Sequence, residues 1–441
     1  MTDTAREGHS VEQVLPRAPK STAPRTGFFW PLGVWYFLAA FVVIAGVTLV
    51  RTSLELSFAY EEWAHTNGLF QRSALDITGP LAAAFGAYLS GRLTPPSRPY
   101  ALPRFARSKA EFLAHHLLPA ATVVTAGYVL GLVPIVVKTY STATTGSLAP
   151  LGFVIGIVIL NTLLVLGWLF GVVAQSAFAA PIAFAAGFAA TLCGYGIGAW
   201  NSVTPVVGDV STAGRVETLA FALFRGAFFA IVLVAALATA AGVLRTRGFQ
   251  RRLPPVRVFA WWILPAVLLA VGMVRPPSPA VREVNPPKIC KEAVGMSFCV
   301  HQAHERDLDD LVAEVEPIVV LVGQENLPFT RVEDTALHDG ANPHLDPTVY
   351  YADVSPRYGA TGDRDIIANL IAGSETCFVR PGWEQSAPGY NAFMLTLRLS
   401  GDRESGADKR FGKLSDKQVH QWLNSHRNQI RGCAITDDLL P

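Results

Sequence analysis

The sequence predicts a polytopic α-helical membrane protein of about seven transmembrane helices that carries a C-terminal extracytoplasmic α+β domain. Three observations predict it. The chain is 51% hydrophobic and only 16% charged over 441 residues, whereas soluble chains carry about 25% charged residues. Its small net charge of +2 hides a split, with arginines crowding the part through Arg257 and acids the part from Arg275 onward. Only Cys193 lies in the apolar part, while Cys290, Cys299, Cys377 and Cys433 all follow the last apolar run. The chain divides accordingly into a disordered cytoplasmic tail (1–28), a transmembrane helical domain (29–274), a proline-rich linker (275–287) and an extracytoplasmic domain (288–441).

The tail is polar and lacks the short apolar core and small-residue cleavage site of a removable signal peptide. The first apolar run therefore directs insertion. Runs approaching the ~20 residues that cross hydrocarbon are Phe29–Val50, Ile77–Leu93, Leu113–Val137, Leu148–Val173, Ala177–Ala199, Leu219–Leu244 and Val258–Val274, the last sharing the shortest length with the second. Trp30, Trp35 and Tyr36 sit near the inner end of the first run, where interfacial aromatics belong. Gly79, Ala83, Ala87 and Gly91 recur every fourth residue along the second. Such a small-residue stripe lets helix backbones approach closely, within one chain or between subunits.

Lysine and arginine in short loops set orientation. They collect in the tail (Arg6, Arg17, Lys20, Arg25), after the second run (Arg92, Arg98, Arg104, Arg107, Lys109) and between the sixth and seventh (Arg245 to Arg257). The intervening loops are poor in them. The N-terminus is therefore expected inside, and the cysteine-bearing domain outside. Cysteines confined to one compartment in even number agree with that, because disulfides persist in oxidising spaces. Two connecting segments are longer than turns. Arg51–Asp76 has the pattern of an amphipathic segment lying in the outer interface. The stretch from Pro103 to His116 reads as a short basic amphipathic helix running into the third span.

Beyond Lys288 the pattern is mixed. KICKEAVGMSFCVHQ reads as a hairpin turning near Gly295, and His304–Val322 has helical spacing. Phe329–Val332 and Thr348–Ala352 are strand candidates. Asp363–Ala372, Tyr390–Leu399 and Ser415–Arg431 read as helices, the last with Ser415 as its cap. Cys290 with Cys299 and Cys377 with Cys433 is the favoured pairing, although four cysteines allow three pairings.

Catalytic patterns are missing from the sequence. It has no GxxxxGK[ST] phosphate loop, no HExxH and no GxSxG, so neither ATP cradling by that loop nor those hydrolase chemistries are expected. His301 and His304 are three apart with no glutamate between them, which makes them weak metal candidates and stronger surface or core histidines. No cofactor is expected, and a basic membrane half beside an acidic outer half does not suggest nucleic acid. Inside the spans, Arg225 is a costly charge. It is expected either to snorkel to the outer interface or to pair with Asp76 or Glu217. Asn161 is expected to hydrogen-bond a neighbouring helix.

ITGPLAAAFGAYLSGRL followed by a basic inner loop, together with FCVHQAHERDLDDLVAEVEPIVVLVG, resembles type-2 ATP-binding-cassette (ABC) transporter permease-like proteins of actinobacteria that carry an exported C-terminal domain. The resemblance implies a permease subunit, not itself an enzyme, working with a separate ABC ATPase. It implies that Arg104–His116, with Arg104, Phe105, Arg107, Lys109 and Phe112, forms the ATPase-coupling segment. The seventh span departs from the usual six and would export the tail. Together these readings lead to an export permease of the plasma membrane, a homodimer or heterodimer in the lipid bilayer, whose outer domain recognises cargo or a surface partner. The alternative is a membrane-anchored envelope sensor or assembly factor whose spans only anchor and dimerise. A third reading, a membrane-anchored hydrolase, would need metal on His301 and His304.

Overall fold

The structure, a computed structural model, describes residues 33–55, 63–95, 109–208, 213–246, 260–338, 346, 348–354, 363–374, 377, 386–401 and 411–440. The apolar half folds into helices α1 (Val34–Glu55), α2 (Trp63–Leu69), α3 (Thr78–Leu93), α4 (Lys109–Thr142), α5 (Pro150–Ala174), α6 (Ala179–Gly196), α7 (Leu219–Thr246) and α8 (Ile263–Val274). Five helices among the described residues, α1, α4, α5, α6 and α7, are long and apolar enough to cross a membrane. The apolar helical stretch Ala260–Val274 is shorter, and α3 has 16 residues.

The composition of α3 follows from its place. It packs chiefly against α5 and α6, and Gly79, Ala82, Ala83, Gly86, Ala87, Leu89 and Ser90 are all buried. A helix shielded from lipid by its neighbours needs small residues for close approach more than it needs high hydropathy. A Cβ on Gly86 would lie 2.0 Å from the Leu164 carbonyl oxygen, and one on Gly167 would lie 1.9 Å from that of Ala83. The small-residue stripe therefore serves packing within the chain. Elsewhere α1 lies against α4 and α5 against α7, with polar ties such as Thr162 Oγ1 to the Phe229 carbonyl at 3.1 Å. The helix α8 touches α7 and the 3-10 turn Gly198–Trp200.

Connecting segments gather at opposite ends of this bundle. At one end the Asn67 amide donates to the Ser147 carbonyl at 3.0 Å, Val207 N to the Gln71 carbonyl at 3.0 Å, and Ser202 Oγ to the Gly272 carbonyl at 3.3 Å. At the other end, the start of α8 is held by Trp262 Nε1 donating to Thr239 Oγ1 at 2.9 Å. Of the segment from Arg51 to Asp76, expected to lie in the outer interface, residues 56–62 lie outside the described residues. The first residues of the segment continue α1, and Trp63, Leu69 and Phe70 are buried in the bundle, since their apolar side chains find a core there.

The C-terminal half has its own core. Strands β1 (Arg215–Glu217) and β2 (Ala280–Arg282) pair antiparallel as a ribbon, with Val216 opposite Val281. Strands β3 (Lys288–Ala293), β4 (Met296–His301), β5 (Arg331–Asp334) and β6 (Val349–Ala352) form a second sheet in that order. The β3–β4 pair is an antiparallel hairpin, and the other two pairs are parallel. Parallel neighbours need a crossover, and the one from β4 to β5 is supplied by α9 (Leu308–Val322). The core behind the sheet is built from Phe298, Val300, Leu311, Val315, Ile318 and Val332. Helices α10 (Asp363–Ile371), α11 (Ala387–Ser400) and α12 (Asp416–Arg431) complete it. Ser415 caps α12 through a capping box with Gln418. Cys290 pairs with Cys299 and Cys377 with Cys433, at S–S distances of 2.07 and 1.98 Å. This is the favoured pairing.

Candidate functional site

The bundle concentrates its polar chemistry at the end that carries the C-terminal domain. Arg225 enters from α7, six residues or ~9 Å beyond its first residue at 1.5 Å per residue. It is 0% exposed, so it does not snorkel. Nε donates to Gln71 Oε1 at 2.9 Å. Nη1 donates to the carbonyls of Asn201 and, at 2.7 Å, Thr204, and Nη2 to that of Pro205 at 2.7 Å. Phe221 and Phe229 flank the guanidinium, their ring centroids 5.9 and 5.4 Å away. A planar fork of five donors suits this cluster of carbonyls as an ammonium would not.

The acidic partners expected for Arg225 are placed differently. Asp76 pairs with Arg51 at 2.5 Å and accepts from Ile77 N at 2.7 Å. Glu217 reaches Arg225 only through Gln71, whose Nε2 donates to Glu217 Oε1 at 3.3 Å. Burial raises the Glu217 carboxyl above its ordinary range, against the Gln71 hydrogen bond and the charge of Arg225. Arg225 thus ties α7 to the segment before α3 and to the turn after α6. Backbone carbonyls do this work, and they leave no mark in a sequence. Asn201 escapes notice in the sequence for that reason, and Gln71 escapes it because a lone glutamine acting through its side-chain amide carries no motif.

Glu217 is also the last residue of β1, and here the bundle meets the C-terminal domain. Beside the ribbon, Thr218 Oγ1 donates to the Ser278 carbonyl at 2.6 Å, and Glu283 N to the Gly214 carbonyl at 2.8 Å. Gly214 has φ +75°, and a Cβ there would lie 1.9 Å from the Ala336 carbonyl oxygen. Arg282 Nη2 donates to the Leu337 carbonyl at 2.6 Å, and Thr144 Oγ1 to that of Gln302 at 3.2 Å.

His301 and His304 lie at this joint. The buried Asp334 carboxylate accepts from His301 N at 3.1 Å, from Ala336 N at 2.8 Å and from His304 Nδ1 at 2.6 Å. His301 Nδ1 accepts from Ala303 N at 3.1 Å, and its Nε2 faces Glu283 Oε2 at 3.5 Å. Burial pushes the His301 imidazole below the ordinary histidine range, with the Glu283 hydrogen bond opposing it. The two histidines order the turn that follows β4. Among the described residues no group of three or more His, Cys, Asp or Glu is placed to hold a metal.

The remaining sequence candidates lie elsewhere. Asn161 Nδ2 donates to Thr125 Oγ1 of α4 at 3.0 Å, a helix-to-helix bond of the kind expected. Of the coupling segment, Arg104, Phe105 and Arg107 fall outside the described residues. Lys109 opens α4 and Phe112 lies in its first turn, with the Phe112 ring 4.7 Å from that of His116. Comparison with protein-family models, with curated proteins and with solved structures finds no match for this chain.

Proposed function

We propose that the chain is the membrane-embedded permease subunit of an ABC-type export system whose ATPase is a separate chain. In this reading α1 and α3–α8 cross the plasma membrane as seven spans. The N-terminus is cytoplasmic, the C-terminal domain is extracytoplasmic, and the protein works as a homodimer or heterodimer. The domain recognises cargo or a surface partner, and Arg104–His116 receives the ATPase.

The observation that carries this reading is the joint between the halves. Glu217 ends β1, which pairs with β2 in the linker leading to the domain, lies two residues before α7, and is linked through Gln71 to Arg225 within α7. A shift of α7 against α3 therefore moves the ribbon and the domain with it. A bundle that serves only as an anchor needs no such link. By the positive-inside rule the basic segments of the sequence belong on the inner side, where an ATPase would dock.

The test is affinity purification of the full chain in mild detergent from its native membrane. An ATPase chain is expected to co-purify, and the charge reversals Arg104→Glu, Arg107→Glu and Lys109→Glu together are expected to release it. Recovery of the protein without any ATPase, at native expression, overturns the proposal.

A further inference from the structure

We propose that a cavity at the far end of the C-terminal domain binds a small apolar carboxylate. The cavity has a volume of about 270 Å³, and its walls include Leu370, Ile371, Leu423, Ile430, Arg427 and Arg431. That volume is close to the lower bound of small-molecule sites, ~300 Å³. Four aliphatic side chains give it an apolar body, and two arginines stand over it. Among the described residues that line it, none is acidic.

Arg427 and Arg431 are four apart on α12, so they project from one face. Like charges at that spacing repel, and an anion between them relieves the repulsion. Arg427 is already oriented, because its Nη2 donates to the Glu325 carbonyl and to Asn326 Oδ1. Those two bonds use both Nη2 protons, so Arg427 contributes its fixed charge and its remaining N–H donors, and the match of two parallel hydrogen bonds to a carboxylate falls to Arg431.

Topology shows where the cavity opens. β4 and β5 are parallel, and the residues that follow both strands, Gln302 and Leu337, contact the bundle side. Asn326 and Pro328, which line the cavity, precede β5 and so lie at the opposite end of the sheet. The cavity faces away from the bundle, toward whatever approaches the domain from beyond it. A free carboxylic acid and the C-terminus of a peptide ending in an apolar residue present the same chemistry there.

This assignment rests on the reading of the domain as a recognition module. The test is isothermal titration of the full chain in nanodiscs, with empty nanodiscs as the blank and no ATPase present. 4-Phenylbutyrate is expected to bind saturably, and 4-phenylbutanol and acetate at least tenfold more weakly. Acetyl-alanyl-leucine with a free or an amidated C-terminus distinguishes a peptide end from a free acid. Arg431→Gln, at an exposed position, is expected to weaken 4-phenylbutyrate at least fivefold without changing the melting temperature. Arg427→Gln is expected to do the same, provided that its own melt matches wild type. Equal binding of acid and alcohol, indifference to Arg431→Gln, or no saturable binding of either carboxylate overturns the cavity assignment. Those outcomes leave ATPase co-purification, measured separately, to decide the exporter reading.

Discussion

Arg225 holds a charge where no water reaches it, and its stability depends on acceptors that no other residue type can serve together. Removing it leaves the carbonyls of Asn201, Thr204 and Pro205 and the Gln71 amide oxygen in place without their donor. Each buried group left unsatisfied costs ~1–3 kcal/mol. Arg225→Ala is therefore expected to lower the melting temperature of the detergent-solubilised protein sharply. Arg225→Lys should recover only part of the loss, because one ammonium cannot span acceptors on both sides of a fork. A wild-type melt for Arg225→Ala would mean that the network carries no stability. His301 makes a second prediction. Its folded state binds a proton less readily than an unfolded chain, whose histidine titrates near ~6.5. The unfolded state thus takes up more protons on acidification, and the contribution to stability is intact above about pH 6.5 and declines as pH falls through that value. His304, Asp334 and Glu283 face His301 and shape the slope. In pH-dependent melts of the C-terminal domain between about pH 7 and 5, His301→Gln should flatten the decline. A slope that His301→Gln leaves unchanged would assign it to other groups.

At the scale of elements, α3 and α5 approach so closely that side chains at their contact have no room. Gly167→Leu must push against the Ala83 carbonyl, so yield and melting temperature should both drop. Gly46→Leu, where nothing lies within 4 Å, should leave them unchanged. Equal behaviour of the two variants would show that this helix contact is looser than described. In the domain, the disulfides close loops of different length. The Cys377–Cys433 bond spans 56 residues and the Cys290–Cys299 bond spans 9. Loop-closure entropy gives ~4 against ~3 kcal/mol. Paired serine substitution should therefore destabilise the domain more for the first, as read by denaturant midpoints. The elements themselves were unequally legible. Apolar runs and the spacing of Leu308, Leu311, Val312, Val315 and Val319 marked the helices, and Gly295, at φ +73°, marked the hairpin turn. The strand expected at Phe329–Val332 begins instead at Arg331, because the pairing register and not local composition sets its ends. The ribbon could not be read, since β1 and β2 are three residues each and far apart in the chain.

At the scale of the whole molecule, two halves with separate cores are joined by a short ribbon and a few hydrogen bonds. Val281→Pro removes a ribbon donor. It should speed proteolysis of residues 275–287 while each half keeps its own melt, and unchanged cleavage would mean that the ribbon does not hold the joint. The division into halves was plain in the sequence, because hydropathy, arginine placement and cysteine placement each report it. The joint was not, because the contacts that build it run through backbone carbonyls and through glycine at Gly214. An export permease of this design requires the C-terminal domain to lie on the outer side of the membrane. Val284, 86% exposed in the linker, offers the direct measurement. Val284→Cys in a Cys193→Ser background should react in intact cells with a membrane-impermeant maleimide. Labelling that appears only after the cells are opened would put the domain inside and contradict the account.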